Sequence, residues 1–377
     1  MLFKEIPVHE NTRQRLLSLA DNDRIPHALL IEGPSGTGKF ALARAFAQYI
    51  HCTGRKPGDK DSCGVCPSCI QHQSMSHIDT HYVFPVVKLD KMTNAPVSDD
   101  FLTEWKEYLD GRRFMDFSVW TETFDKKNAQ PITYANESGA LLRKLSFAAH
   151  GSKYKVVLWW LPEKMNEEAA NKILKMLEEP WEDTLFIMVS DNPKELLPTI
   201  YSRVQRISTG RVADSVIAGI LETERGIGSE DAMSIAHNAD GSVTAALRSI
   251  GSRSDENEFF NMFVTLMRQA YQRKIADLKE WSAALATLGR EKEIKFYEYS
   301  VRLIRENFIY NFKLPQLNYL NSTESAFSVR FARFINERNV EKLIEVFDKA
   351  RIDIAGNANG KIVNLDVAIK VILLLKQ

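Results

Sequence analysis

A glycine-rich turn constrains this fold more than any other feature of the sequence. The turn reads GPSGTGKF from Gly33 to Phe40 and follows a short apolar run that predicts a buried strand at 28–31. The next residues, KFALARAFAQYI, place apolar side chains on one face and predict a helix. A strand, a glycine-rich loop and a helix in this order predict a phosphate-binding loop. The alternative is a glycine-rich turn with no nucleotide-binding history.

The turn departs from a working phosphate loop at its last position. In such loops the residue after the lysine gives a hydroxyl to Mg²⁺, and this chain has Phe40 there. Lys39 would still reach the phosphates of a bound nucleotide. The residues that could still hold one are Gly33, Pro34, Ser35, Gly36, Thr37, Gly38, Lys39 and Phe40. The sequence leaves open whether ATP binds there, and Mg²⁺ is not expected.

The acids that hydrolysis requires are missing from the next strongly apolar strand. That strand begins the stretch KVVLWWLPEKM, and the Asp-Glu pair that would hold Mg²⁺ and orient water falls on Leu161 and Pro162. Glu163 lies one residue late; it is either a substitute for these acids or a solvated loop residue. The positions that would bind Mg²⁺ are thus changed at two separate places, Phe40 and Leu161–Pro162, which we call the magnesium-related positions. These two losses predict slow or absent hydrolysis at the chain's own site.

The four cysteines of the chain form one cluster with the spacing C-x10-C-x2-C-x2-C. They are Cys52, Cys63, Cys66 and Cys69. Zinc favours four thiolates in a tetrahedron, and disulfides are rare in cytosolic proteins. The pattern predicts a closed, structural zinc site, with a redox role or free thiols as alternatives. His51 and His72 lie close by and are expected to be surface residues rather than ligands.

The order of apolar runs along the chain predicts an α/β fold. Buried strands within KYKVVLWWL and TLFIMVS alternate with amphipathic helices, one of which has Asn166 as its N-cap. This alternation predicts a parallel sheet covered by helices on both faces. Strand signals stop after about residue 208. We expect an α/β domain at 1–208, a small helical domain at 209–252 and an all-α domain at 253–377, where Phe327, Phe331, Phe334 and Ile335 belong to a helix-bundle core.

Residues 84–131 look like an insertion, because they are polar and aromatic without a strong period. Their aromatic residues include Phe101, Trp105, Phe114, Phe117, Trp120 and Phe124. These side chains are expected to pack into a small subdomain. A partner-binding surface is the alternative, since exposed aromatic side chains often serve in interfaces.

Charge and hydropathy limit the partners of the chain. The 49 basic and 49 acidic residues give a formal net charge of zero. A protein that holds DNA alone is usually basic, so any nucleic-acid contact should rely on local patches or partner subunits. The N-terminus lacks an apolar core of signal-peptide length, and no apolar run reaches membrane-spanning length. We therefore expect a cytoplasmic protein.

Several stretches together resemble the clamp-loader branch of the AAA+ family. They are PHALLIEGPSGTGKFALARAFA, the cysteine module, EEAANKILKMLEEP, LFIMVSDNPKELLPTIYSRVQRI and the terminal NANGKIVNLDVAIKVILLL. The resemblance covers about 5–80, 132–250 and, more weakly, the C-terminal helices. It implies a AAA+ module, a helical lid and a helical collar that assembles subunits, corresponding to the three domains above. The insertion departs from the family.

The resemblance also implies a role for Ser202 and Arg203, which match the family's Ser-Arg-Cys motif with Val204 in place of Cys. In the family this arginine reaches the ATP of a neighbouring subunit, so Arg203 would be a trans arginine finger; its alternative is a surface salt bridge. Thr244 stands where hydrolysing members carry a lid arginine. The chain thus lacks the hydroxyl, the acids and the lid arginine that its own ATP site would need. It keeps the arginine that would serve the ATP site of a neighbouring subunit.

The implied role is a stationary, non-hydrolysing subunit of a bacterial replicative clamp loader. The implied partners are gamma/tau-type ATPase subunits and a delta subunit, with the sliding clamp and primed DNA met mainly through the hetero-oligomer and no membrane involved. One alternative is an ATP-hydrolysing gamma/tau-type subunit. Another is a zinc-containing AAA+-like scaffold of a different DNA-repair assembly. An independent DNA-binding module is disfavoured by the neutral charge.

Overall fold

The computed structural model describes the chain apart from residues 57, 125, 127–129, 252, 315–316 and 377 and the side chains of 251 and 253–255. The chain forms two compact units. The first comprises Met1–Ile217 with Ala239–Ala245, and the second comprises Ala218–Asn238 with Ala246–Gln377. The three domains expected from the sequence stay a prediction, and their boundary at 252 falls on a residue outside the described ones.

A five-stranded parallel sheet forms the centre of the first unit. Its strands have the order β2-β3-β4-β1-β5. They are β1 (Ala28–Glu32), β2 (Thr80–Val83), β3 (Lys155–Trp160), β4 (Thr184–Ser190) and β5 (Gln205–Ser208). All residues of β1, β3 and β4 are buried, as expected for parallel strands covered on both faces. The predicted fold class is confirmed.

Eight helices accompany the sheet before residue 202 in the described part of the chain. They are α1 (Glu10–Asp21), α2 (Lys39–His51), α3 (Pro67–Gln73), α4 (Leu102–Leu109), α5 (Phe117–Glu122), α6 (Ala135–Leu145), α7 (Glu167–Glu178) and α8 (Pro198–Tyr201). The expected cap of α7 is present, because the Asn166 side chain accepts a hydrogen bond from the Ala169 N–H at 2.9 Å. Ile173 and Leu177 on the buried face of α7 join the core against the sheet.

The described elements from residue 214 onward are helices. They are α9 (Asp214–Arg225), α10 (Ser229–Asn238), α11 (Val243–Gly251), α12 (Arg253–Gln272), α13 (Ile275–Thr287), α14 (Arg290–Tyr310), α15 (Ser322–Phe331), α16 (Val340–Ala355) and α17 (Gly360–Leu374). Phe331 and Ile335 are buried in the core of the second unit, and Phe327 and Phe334 pack against it, as expected from the sequence. No described helix is long and apolar enough to cross a membrane.

The insertion folds as a packed subdomain of the first unit. The six aromatic residues picked out in the sequence are buried, except for Phe117, which is half-buried. The insertion is tied to α6 through Glu137, whose Oε2 accepts hydrogen bonds from the N–H of Ser98 at 2.6 Å and from its hydroxyl at 3.0 Å. The structure therefore favours packing over an exposed aromatic surface.

The Glu137 contact predicts a pH dependence of stability. Burial raises the pKa of Glu137 to about 7, from an ordinary value of 4.5. The folded state therefore binds this proton more tightly than the unfolded chain. Its contribution is fully present below about pH 4.5 and is lost as the pH rises through about 7, by on the order of 2–3 kcal/mol.

The Glu137→Gln variant keeps an acceptor for Ser98 and removes the ionisable group. We expect its free energy of unfolding to change less than that of the wild type between about pH 5 and pH 8. Urea unfolding at both pH values measures the difference. Glu168→Gln, on the exposed face of α7, is the control and should leave the pH dependence unchanged. Parallel profiles for the wild type and Glu137→Gln would contradict the assignment.

Candidate functional site

The predicted phosphate loop joins β1 to α2 with the backbone geometry that its glycines permit. Gly36 and Gly38 have φ values of +73° and +90°, a region that residues with a β-carbon rarely adopt. Residues 36–40 are buried, whereas Ser35 is exposed. The strand, loop and helix thus occur in the predicted order, with Lys39 as the first residue of α2.

Lys39 is bound within its own domain. Its side chain is 2% exposed, and its ammonium lies 2.7 Å from Oδ1 of Asp191. The same ammonium donates a hydrogen bond to the carbonyl oxygen of Pro34 inside the loop. In a loaded loop this lysine would reach the nucleotide phosphates. Here a carboxylate and a carbonyl oxygen already satisfy its charge.

Residues 242–244 cover the loop at Gly36. The carbonyl oxygen of Gly36 accepts hydrogen bonds from the N–H groups of Val243 at 3.0 Å and Thr244 at 3.4 Å. A β-carbon on Gly36 would overlap the hydroxyl groups of Ser242 and Thr244. The residue at the expected position of the lid arginine therefore contacts the loop through its backbone and its short side chain.

The two magnesium-related positions hold apolar side chains in a closed environment. Phe40 is 1% exposed, and its ring packs against Trp105 with the centroids 5.7 Å apart and against Trp160 at 6.4 Å. Leu161 and Pro162, which follow Trp160, are also buried. Neither position presents an oxygen side chain that could bind a divalent cation.

Glu163 has a structural role in the turn after β4. Its Oε1 accepts hydrogen bonds from the N–H groups of Asp191 at 2.8 Å and Asn192 at 3.0 Å. Burial raises the pKa of Glu163, although these hydrogen bonds oppose the shift. The alternative of a solvated loop residue is therefore wrong. Its Oε1 is engaged in fixing the backbone that carries Asp191.

Arg203 lies on the surface after α8. Its guanidinium is 2.7 Å from Oε1 of Glu178 and donates to the carbonyl oxygen of Thr199 at 2.9 Å. Both side chains of the ion pair are more than one third exposed, at 37% and 47%. Exposed pairs of this kind contribute only about 0–1 kcal/mol. Arg203 therefore has the surface salt bridge anticipated as an alternative, and it could exchange Glu178 for a stronger anionic ligand at little cost.

The four cysteine side chains converge on one point. Their Sγ atoms lie within 4.8 Å of one another, with 4.0 Å between Cys52 and Cys66 and 3.9 Å between Cys63 and Cys69. Zn–S bonds of about 2.3 Å in a tetrahedron place sulfur atoms about 3.8 Å apart. The N–H groups of Val65 and Cys66 lower the pKa of Cys63, whereas burial raises the pKa of Cys52 and of Cys69. These residues fit a tetrahedral zinc ion.

His51 and His72 are not surface residues, which corrects the expectation from the sequence. Both are 4% exposed and form a cluster with His77. Nδ1 of His51 lies 2.9 Å from Nε2 of His72, and Nε2 of His51 lies 2.8 Å from the carbonyl oxygen of Tyr154. Burial lowers the pKa of His51 to about 4 and that of His72 to about 2, so both rings are neutral near pH 7.

The histidine cluster is a hydrogen-bonded stack. The rings of His51 and His77 are 4.4 Å apart and inclined by only 13°. The nitrogen atoms of the three rings lie within 4.8 Å of one another, but stacked rings are a poor arrangement for directing in-plane lone pairs at one ion. The stack instead joins the end of α2 and helix α3, which carries His72, to the segment before β2.

Sequence reasoning missed Asp191 as the partner of Lys39 and Phe114 as a neighbour of the loop. Asp191 directly follows the buried strand β4, and the carboxyl end of a parallel strand is where such sites form. The position of Asp191 directly after an apolar strand could therefore have identified it as a site residue. The position of Phe114 beside Gly38 had no comparable local signal, because the contact joins residues 76 positions apart.

Comparisons with known proteins identify relatives of this sequence. Residues 8–212 match the family model for the DNA polymerase III delta subunit. The chain is similar to the DNA polymerase III subunit delta prime of Bacillus subtilis, with 28% identity over 51% of this chain and 44% of that protein. It is 31% identical to the delta prime subunit of Haemophilus influenzae over 48% of this chain and 41% of that protein. Both matches span less than half of the relative's length.

Further similarities are to proteins named for the gamma or tau subunit of DNA polymerase III. The gamma/tau subunit of Mycobacterium tuberculosis is 27% identical over 61% of this chain and 33% of that protein. Among solved structures, a DNA polymerase III gamma subunit-related protein from Thermotoga maritima has a TM-score of 0.39 and 12% identity, covering 97% of this chain and 99% of that one.

The cysteine site predicts one zinc ion per chain. We expect Cys66→Ser to lose most of the bound zinc and to lower the free energy of unfolding by roughly 3 kcal/mol or more, because a closed structural site contributes folding energy directly. Atomic emission of purified protein and urea unfolding measure these two effects. Ser68→Ala, within the same module, is the control. Zinc-free wild-type protein with unchanged stability would contradict the prediction.

The ion pair between Lys39 and Asp191 predicts that removing one side chain destabilises the protein more than removing the other. Asp191→Ala leaves a buried ammonium without its carboxylate and should destabilise the protein by about 3 kcal/mol. Lys39→Met removes the buried charge and leaves a partly exposed carboxylate, so it should cost less. The double variant should recover part of the loss of Asp191→Ala. Urea unfolding of all three variants tests this order, and a larger cost for Lys39→Met would contradict it.

Proposed function

The chain belongs to the DNA polymerase III, delta subunit family, and on that premise we propose that it is the delta prime subunit of a bacterial clamp loader. In this role it helps a hetero-oligomer of gamma/tau and delta subunits to load a sliding clamp on primed DNA. The chain itself is a stationary subunit that does not hydrolyse ATP. The role places it in the cytoplasm, and its neutral net charge fits DNA contact made mainly through the complex.

The contrast between Lys39 and Arg203 carries this proposal. Lys39, which would serve the chain's own nucleotide, is buried and paired with Asp191. Arg203, which would serve a neighbour's nucleotide, is exposed and held by a surface ion pair. The groups of the chain's own site are therefore engaged internally, and the group directed outward remains accessible. This is the arrangement that a non-hydrolysing partner of an ATPase requires.

Arg203 would act as a trans arginine finger. A guanidinium stays ionised at all physiological pH values and presents several N–H donors in a fixed plane. Such donors stabilise the charge that develops on a γ-phosphoryl group during transfer, and arginine fingers increase turnover by about 10³–10⁵-fold. In the assembled complex the neighbour's phosphate oxygens would replace Glu178 as the partner of Arg203.

The domain roles follow from the same proposal. Residues 1–208 would form the AAA+ module with its zinc site, 209–252 a lid, and 253–377 the collar that assembles the subunits. The contacts of Val243 and Thr244 with Gly36, which lie within the first unit, support a fixed position for this part of the lid. Without ATP turnover the lid has no cycle to follow, so it would serve as a rigid wedge.

Arg203→Ala should reduce ATP turnover by the assembled complex while leaving the chain folded. We expect a loss of about 10²-fold or more at the site that Arg203 serves. Arg203→Lys should also lose most of that activity, because an ammonium lacks the planar set of donors. The measurement is turnover by the chain alone and by complexes with gamma/tau, delta, clamp and primed DNA.

Arg206→Ala is the matched control for this experiment. Arg206 lies three positions further on and donates to the hydroxyl of Tyr201 at 2.9 Å within its own chain. Its removal should leave turnover at the wild-type level. Equal activity of the Arg203 and Arg206 variants would reject the finger. Robust turnover by the chain alone would instead favour an active gamma/tau-type subunit, and failure to co-elute with clamp-loader subunits would favour a scaffold of another assembly.

A further inference from the structure

We propose that the insertion 84–131 takes the place of the magnesium ion in this module, so that an aromatic cluster couples the phosphate loop to the sheet without nucleotide. In a nucleotide-loaded relative, the ion connects the residue after the loop lysine with acids at the end of a neighbouring strand. In this chain the residue after the loop lysine and the last residue of β3 are joined through side chains of the insertion. The inference concerns the isolated chain and does not depend on the proposed clamp-loader role.

Trp105 of α4 contacts one magnesium-related position, Phe40, and the strand residue that directly precedes the other, Trp160. Its ring lies 5.7 Å from that of Phe40, the residue in place of the magnesium-binding hydroxyl. It lies 5.3 Å from the ring of Trp160, the last residue of β3, immediately before the expected acid pair. All three side chains are at most 1% exposed. One indole ring therefore contacts both the residue after the loop lysine and the last residue of β3.

The insertion holds Trp105 in place by stacking. Phe84 stacks on it with the ring centroids 4.0 Å apart and the planes inclined by 11°, and Trp120 packs its edge at 5.1 Å. The indole N–H of Trp120 donates to the carbonyl oxygen of Pro85 at 2.7 Å. Large aromatic side chains bury about 150–250 Å² each, so the cluster is a substantial source of stability.

A second part of the insertion covers the loop itself. Ring carbons of Phe114 lie 3.2 Å from the position that a β-carbon on Gly38 would occupy, and a methyl group of Val8 lies 3.1 Å from it. Gly38 immediately precedes Lys39 and has a positive φ. The insertion thus contacts the loop on either side of Lys39, at Gly38 and at Phe40.

The aromatic cluster therefore gives one structural reason for two differences from the sequence of a working nucleotide site. The loss of the hydroxyl at Phe40 and the loss of the acids at Leu161 and Pro162 concern residues far apart in the chain. Phe40 belongs to this aromatic cluster, and Leu161 and Pro162 directly follow Trp160, another of its members. A hydroxyl or a carboxylate left there would be buried without water, which is unfavourable unless it is hydrogen-bonded.

Hydrogen exchange of the full chain, with and without MgATP, tests the proposal. In the wild type, MgATP should leave exchange in 33–44 unchanged. Trp105→Leu should increase exchange in 36–44 and 155–161 by at least about tenfold, because the loop and β3 lose their shared contact. Phe101→Leu is the control. Phe101 is a buried aromatic of the same insertion that packs against Phe124, and its variant should leave exchange in both segments near the wild-type level.

A milder variant keeps the test decisive if Trp105→Leu does not fold. Phe40→Thr restores the hydroxyl of a working loop and leaves the insertion intact. We expect no increase in thermal midpoint when MgATP is added to this variant, because Trp105 still fills the space. A midpoint increase of several degrees would overturn the proposal, as would equal exchange in the Trp105 and Phe101 variants. Either result would leave the trans role of Arg203 untouched.

Discussion

A buried ammonium requires a partner, and the arrangement of this site depends on how Lys39 meets that requirement. Asp191 compensates the charge from the end of β4, and the Pro34 carbonyl accepts a hydrogen bond from the same group. Glu163, at the end of β3, in turn accepts a hydrogen bond from the N–H of Asp191. The loop and the ends of two neighbouring strands are therefore connected through one charge. A nucleotide would have to break the ion pair between Lys39 and Asp191 before its phosphate oxygens could bind the ammonium of Lys39.

The regular parts of the fold could be predicted because their signals are local. The strands β1, β3 and β4 are nearly continuous apolar runs, and the cysteine spacing alone specified the ligands that converge in space. The strands β2 and β5 were not anticipated. Each has four residues, and in β5 only Ile207 is buried, so neither carries an apolar run long enough to recognise.

The parts that could not be predicted depend on contacts between distant segments. Lys39 and Asp191 are 152 positions apart, and the pairing of His51 with His72 depends on how α3 packs against α2. The local sequence around a polar residue beside a metal motif looks the same whether its side chain is solvated or buried. The surface assignment of both histidines was therefore wrong. The role of Arg203 stays a prediction from its motif, and only the structure shows its partner Glu178.

Helix α2 connects the two specialised parts of this module. Its first residue is Lys39 in the phosphate loop, and its last residue, His51, directly precedes the cysteine ligand Cys52. At 1.5 Å per residue this helix is about 20 Å long. It is fixed at both ends, by the Lys39 ion pair at one end and by the cysteine cluster and the stacked imidazoles at the other. Because α2 is anchored at both ends, the cysteine cluster about 20 Å away limits how far the predicted phosphate loop can shift along the helix axis.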